Sequence, residues 1–230
     1  MNFDPLAFII FCLPLLLAIP LHEAAHGFVA HRCGDPTAYN EGRVTFNPFK
    51  HIDLIGTIAL PVVLILSGAP FIFGWAKPVP VQFALLNKPR RDMVLVAAAG
   101  PLTNLFLALI SAIALKFAIA DLPEQITTTL PWHVRMLDFS VILNVALAVF
   151  NLIPLLPLDG GRILAGILPP KLAIPFSRTE KFGFPVLLLL LIVVPLAGNF
   201  LEQNWSVFNL FLVPPMMSII NAIFVLVGIG

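Results

Sequence analysis

His22-Glu23-Ala24-Ala25-His26 puts two imidazoles four residues apart with a carboxylate between them, inside an apolar segment. From Leu6 to Ala30, Glu23 is the only charged residue. On a helix, positions i and i+4 share a face, so the two imidazoles can chelate one metal ion. Glu23 follows His22 by about 100° around the helix, within reach of a metal-bound water. Ionisable groups at membrane depth are costly and mark function. The chemistry these residues suit is zinc-dependent hydrolysis within a bilayer.

Two histidines leave such a site one protein ligand short, besides the water position. A histidine from a loop is one source. Asp159 is the better one, in Asn151-Leu-Ile-Pro154-Leu-Leu-Pro157-Leu-Asp159-Gly160-Gly161. Pro154 and Pro157 break the preceding helix into extended backbone, and Gly160-Gly161 permits a tight approach. A carboxylate on unwound backbone at the end of a span can reach a site that a helix cannot. Alone, the LDG run would read as a helix stop with an exposed turn aspartate.

The elements that must position these groups are membrane spans. Hydrophobic residues make up 59% of the 230 and charged residues 11%, far from an ordinary soluble domain. The net charge of +1 gives no basic surface for nucleic acid. Cys12 falls mid-membrane and Cys33 just past the first segment, so no disulfide framework is indicated. The first segment lacks the basic start of a signal peptide and reads as a permanent span. Apolar runs able to cross roughly 30 Å of hydrocarbon occupy 6–30, 52–73, 93–119, 137–156, 183–200 and 206–229. Alternating Val79, Val81 and Phe83 among prolines suggest an extended edge near 75–83.

Charge assigns a topology. Three basic residues lie in 31–51 (Arg32, Arg43, Lys50), four in 74–92 (Lys77, Lys88, Arg90, Arg91) and four in 157–182 (Arg162, Lys171, Arg178, Lys181). Only Arg135 lies in 120–136, and none in 201–205. Six full crossings would set 31–51 and 74–92 on opposite sides, against the positive-inside tendency. If 52–73 enters and leaves on one side, all three rich loops face the cytoplasm; Pro61, Gly68 and Pro70 suit such a re-entrant or bent element. The alternative is an ordinary kinked span. Metal geometry favours the first: His26 and Asp159 meet only if their spans run in the same direction, which needs an odd number of crossings between them.

These residues resemble the site-2 protease family of intramembrane zinc metalloproteases. The likeness rests on HEAAH at 22–26, Gly100-Pro101-Leu102-Thr103-Asn104, and Asn151-x-x-Pro154-x-x-Pro157-Leu158-Asp159-Gly160, in that order. It implies that His22, His26 and Asp159 bind Zn2+, that Glu23 activates water, and that Asn151 meets substrate or oxyanion. It also implies a site towards the cytoplasmic side of a prokaryotic plasma membrane and membrane-protein substrates, single-span ones foremost. No PDZ-like insert or nucleotide-sensing module is evident, as in the family's short bacterial or archaeal form.

The expected fold is therefore an all-α polytopic membrane protein, one peptidase domain over 1–230 with its core at 6–160. Three catalytic helices (6–30, 93–119, 137–156) are joined by the re-entrant or bent element 52–73, the edge near 75–83 and two C-terminal helices within 183–229. The stretch Trp75–Phe83 is expected to pair with an unwound substrate segment. Asn144 reads first as an interhelical hydrogen-bonding residue, and for Asn104 that role and a functional one stand level. His31, His51 and His133 read as interfacial. The competing function is a membrane metal transporter or sensor, which would repeat polar groups along a path through several spans. Here they converge at one depth. A catalytically dead scaffold sits poorly with intact HEAAH and LDG.

Overall fold

The computed structural model describes residues 5–60, 62–63, 76–120, 122, 130–194 and 208–229. Among them the regular elements are helices: α1 (Pro5–Arg32), α2 (Thr37–Asn40), α3 (Pro89–Ala120), α4 (Trp132–Asn151), α5 (Asp159–Ile167), α6 (Pro170–Ser177), α7 (Glu180–Leu188) and α8 (Val213–Val227). Among the described residues, four stretches are long and apolar enough to cross a membrane: Ile9–Arg32, Pro89–Ala120, Trp132–Asn151 and Leu210–Val227. The protein is a multi-pass, all-α membrane protein.

Lipid tails are as apolar as leucine, so helices in a bilayer associate through close packing and interhelical hydrogen bonds. The sequence is written accordingly. On α1 the buried stripe is Ile10, Pro14, Ala18, His22, His26 and Ala30, one residue in every four. On α3 it is Asp92, Val96, Gly100, Asn104, Ala108 and Ala112, again one in four. Ridges along i±4 rows made largely of small residues let two helices pack closely. Leu13, Leu15, Leu16 and Leu17 of α1 and Phe106 and Phe117 of α3 are exposed on the protein surface, as lipid-facing residues are. Ala108 and Ala112 of α3 meet Val141, Val145 and Val149 of α4 and Leu212, Met216 and Ile220 at the C-terminal helix. The metal motif thus continues a packing stripe.

Cross-helix pairs fix directions. His26 meets Val96 and His22 meets Asn104, so α1 and α3 are antiparallel. Asn104 meets Asn144 and Ser111 meets Ser140, so α3 and α4 are antiparallel. Phe11 packs edge-on to Phe139 with ring centroids 4.8 Å apart. Hence α1 and α4 run the same way, with α3 the odd crossing between them.

The Asn87 N–H donates to the Cys33 carbonyl at 2.8 Å, so α1 ends and α3 begins at one end of the bundle. The chain between them leaves and returns at that end, as the charge pattern and the metal geometry both require. Of 52–73, the described part opens with Asp53 accepting from the Ile55 and Gly56 N–H groups and starting a widened helical turn over Leu54–Ala59. Residues 61 and 64–75 lie outside the described residues, and with them the question of a re-entrant path. Segment 183–200 is described to residue 194, as α7 followed by a widened turn at Leu189–Val193.

The expected edge near 75–83 is a correction in detail. Residues 76–82 form no strand ladder, and Phe83–Leu85 closes into a 3-10 turn. Pro78 and Pro80 remove the donors of one edge, and the N–H groups of Lys77, Val79 and Gln82 go to the His51 carbonyl, Glu23 and Asp35 in place of a neighbouring strand. The stretch is held instead by single bonds to its neighbours: Lys77 N–H to the His51 carbonyl at 2.8 Å, Gln82 N–H to Asp35 Oδ2 at 2.6 Å, and the Arg43 guanidinium to the Lys77 carbonyl at 2.8 Å.

Candidate metal centre

α1 supplies His22 and His26, and Asp159 arrives on the first turn of α5 after the turn at 152–158. That turn works because of its glycines. A Cβ on Gly160 would overlap the Leu152 carbonyl, and one on Gly161 would lie 2.5 Å from the Leu155 carbonyl carbon. With hydrogen there instead, α5 folds back onto the turn and carries Asp159 to the histidines.

The three ligand atoms form a nearly equilateral triangle. His22 Nε2 and His26 Nε2 are 3.1 Å apart, and Asp159 Oδ2 lies 3.2 Å from the first and 3.4 Å from the second. Each imidazole uses its other nitrogen on an acceptor: His22 Nδ1 donates to Asn104 Oδ1 at 2.5 Å and His26 Nδ1 to the Val96 carbonyl at 2.7 Å. With the ring protons on Nδ1, both Nε2 atoms present lone pairs. Asp159 Oδ2 is buried and receives no hydrogen bond. Three lone pairs therefore converge in a buried space, an arrangement that repels itself unless a cation sits among them. A tetrahedral zinc with ligand distances of about 2.0 Å spaces its ligand atoms about 3.3 Å apart, which is the triangle observed. The residues fit a zinc ion.

Gly100 of α3 faces this triangle. A Cβ there would stand 2.6 Å from His22 Nε2 and overlap His26 Nε2. The Gly100-Pro101 pair in the third segment is thus the wall of the site.

Glu23 turns towards 76–82. Its Oε2 accepts the Val79 N–H at 2.8 Å. The next residue on that side, Gly27, is in contact with the same layer: a Cβ there would meet Val44, Ala38 and Val79 at 2.9 to 3.1 Å. Asn151 ends α4 with its amide nitrogen on the Leu147 carbonyl of its own helix at 3.0 Å. His31 is exposed and stacks on Tyr39 at 4.4 Å. His51, expected at an interface, is buried with Nε2 against the Thr45 carbonyl at 3.1 Å. His133 packs edge-on to Trp132 at the start of α4. Among the described residues, His22, His26 and Asp159 are the one group of three or more such side chains able to hold a metal ion.

Known proteins resemble this chain. The family model described as Peptidase family M50 matches residues 117–194, which contain Asn151 and Asp159. YwhC of Bacillus subtilis, provisionally named a zinc metalloprotease, is 38% identical over 195 residues, covering 85% of this chain and 84% of its own. The chain belongs to the site-2 protease family, peptidase family M50. Two Rip2 proteins, also provisionally named zinc metalloproteases, are each 30% identical over 195 residues. The one from Mycolicibacterium smegmatis aligns over 84% of this chain and 71% of its own. For the one from Mycobacterium tuberculosis the shares are 85% and 71%. No solved structure gives a significant match. Membership makes zinc the cofactor and places the protein among membrane metalloproteases.

Proposed function

We propose that this protein hydrolyses peptide bonds within or near the transmembrane segments of other membrane proteins, single-span ones foremost. His22, His26 and Asp159 hold zinc, and Glu23 is the general base. One observation carries the reading: three buried lone-pair atoms converge at zinc spacing, one residue from a carboxylate, in helices made for lipid.

Zinc bound there supplies a Lewis acid that polarises a peptide carbonyl and lets water lose a proton near neutral pH. Glu23 takes that proton and returns it to the departing amine. The Val79 N–H fixes the rotamer from which it does so. Asn151 stands at the end of α4, ahead of the metal loop, as a hydrogen-bond partner for substrate once its amide leaves Leu147. A substrate helix hides its backbone in internal bonds, so it must unwind before reaching the site. The extended stretch 76–82 lies against Glu23, where an unwound segment would pass. The excess of basic residues in 31–51, 74–92 and 157–182 supports a cytoplasmic position for this end of the bundle, in a prokaryotic plasma membrane on this reading. Such cleavage would release parts of membrane proteins on demand, a regulated intramembrane proteolysis.

Glu23→Gln in proteoliposomes with a single-span substrate is the test. The variant should keep stoichiometric zinc and lose cleavage. Full cleavage would sink the mechanism, and zinc flux across the vesicle wall that survives the change would favour a transporter instead.

A further inference from the structure

The two histidines are oriented by different devices. His26 is held by a main-chain carbonyl, which no substitution can remove. His22 is held by a side chain at the end of a chain of side chains. His22 Nδ1 donates to Asn104 Oδ1, Asn104 Nδ2 donates to Asn144 Oδ1 at 3.0 Å, and Asn144 Nδ2 donates to the Ser140 carbonyl at 2.9 Å. Asn104 is 0% exposed and Asn144 2%, so water does not compete. Beyond them, Ser140 Oγ bonds Ser111 Oγ at 2.9 Å and ties α4 to α3.

The chain has a direction. The Ser140 carbonyl can only accept, so Asn144 must turn its NH2 towards it and its oxygen towards Asn104. Asn104 must then offer NH2 to Asn144 and oxygen to His22. His22 must carry its proton on Nδ1, which leaves Nε2 free to ligate. Without Asn144, the Asn104 amide is free to turn over and point NH2 at His22. That favours the other tautomer, whose Nε2–H cannot bind a metal.

We propose that Asn144 is a positioning residue of the metal centre, acting through Asn104 to hold His22 in its ligating tautomer. The inference rests on the metal-binding reading above. It goes beyond interhelical adhesion, which asparagines in membrane helices commonly provide.

A double-mutant cycle separates the two roles. Zinc affinity of the detergent-solubilised protein is read by competition with a chromophoric chelator, and folding by thermal unfolding of the metal-free protein. Asn144→Leu removes the acceptor at similar volume and should weaken zinc binding about tenfold to a hundredfold. Asn104→Asp places an acceptor-only group on His22 Nδ1–H, so it should bind zinc at least as tightly as the native protein. In that background Asn144→Leu should change the affinity by less than about twofold, because His22 no longer depends on residue 144. Equal losses in both backgrounds, or no loss in either, would overturn the proposal. If Asn144→Leu does not fold, Asn144→Ser withdraws the acceptor more mildly and carries the same comparison. Native protein that binds no zinc would refute the metal reading itself, a result distinct from a failed cycle.

Discussion

Gly100→Ala should give a folded protein that does not hold zinc. The added Cβ would stand 2.6 Å from both Cε1 and Nε2 of His22 and overlap Nε2 of His26. Ordinary contact between such atoms is about 3.5 Å or more, so each ring must retreat by about 1 Å. Metal ligation tolerates deviations of only about 0.2 Å. The clashing atoms are ring tips, not backbone, so the helices can keep their packing while the rings swing away. We expect zinc affinity to fall by at least about a hundredfold, or about 2.7 kcal/mol. The fold should lose no more than the 1 to 3 kcal/mol typical of about one added methyl in a packed core. Chelator competition gives the first quantity, and thermal unfolding of the metal-free protein in detergent gives the second. Native zinc affinity in Gly100→Ala would refute the placement of α3 against the histidines. So would a variant that fails to fold, since the damage would then lie in the helix contact and not in the site.

Gly183→Ala should do the opposite, because its Cβ would overlap the Leu156 carbonyl; we expect a loss above about 2 kcal/mol in thermal unfolding, with zinc loss only as a consequence. Val79→Pro removes the N–H that holds Glu23, and loss of a charge-assisted bond worth about 1.5 to 3 kcal/mol should lower kcat about tenfold to a hundredfold with zinc content unchanged. Cleavage unaffected by that change would count against both the rotamer argument and a role for 76–82 near substrate. Asp35 is buried, which alone would raise its carboxyl, yet the Thr37 hydroxyl, the Thr37 N–H and the Gln82 N–H outweigh this and hold it below its ordinary value. A group lowered in the folded state stabilises fully above its ordinary pKa of about 3.9 and loses that contribution as pH falls through the folded value. Asp35→Asn should therefore destabilise the layer over α1 at neutral pH, and the gap from native protein should shrink below about pH 4; limited proteolysis within 76–82 across pH reads it.

The first and last parts of the site were legible in the chain because each carries its own signature. His22 and His26 announce a shared face by spacing, and Asp159 announces an unwound approach by the prolines before it and the glycines after it. The parity of crossings followed from requiring them to meet. Contacts between main chain and side chain far apart in sequence were not legible. Val79 reaches Glu23 through an N–H that every non-proline residue has, so nothing in its identity marks it. Asn104 is a different case: it falls on the same four-residue stripe as Val96, Gly100 and Ala108, and that register could have placed it opposite His22. Asn144 could be read as polar and interhelical, but its direction of donation depends on the Ser140 carbonyl, which a sequence does not display. Near 75–83 the alternation of Val79, Val81 and Phe83 has a strand's period, but the N–H groups of Lys77, Val79 and Gln82 are spent on His51, Glu23 and Asp35, partners that the alternation does not reveal.

These contacts divide the site into parts that should fail differently. Asp159 is placed by backbone against backbone, through Gly160, Gly161 and Gly183, so errors there propagate into the fold. His26 is placed by a main-chain carbonyl on a rigid helix and should tolerate most neighbouring substitutions. His22 is placed by two amides whose polarity can reverse without moving a helix. Of the three ligands it is the one that a change of hydrogen-bond polarity alone, with no steric push on its ring, can weaken. A graded weakening of the centre, as opposed to its loss, should therefore map to α3 and α4 positions that face His22. A set of partial zinc-affinity variants clustering instead around Val96 or the 152–158 turn would contradict that division.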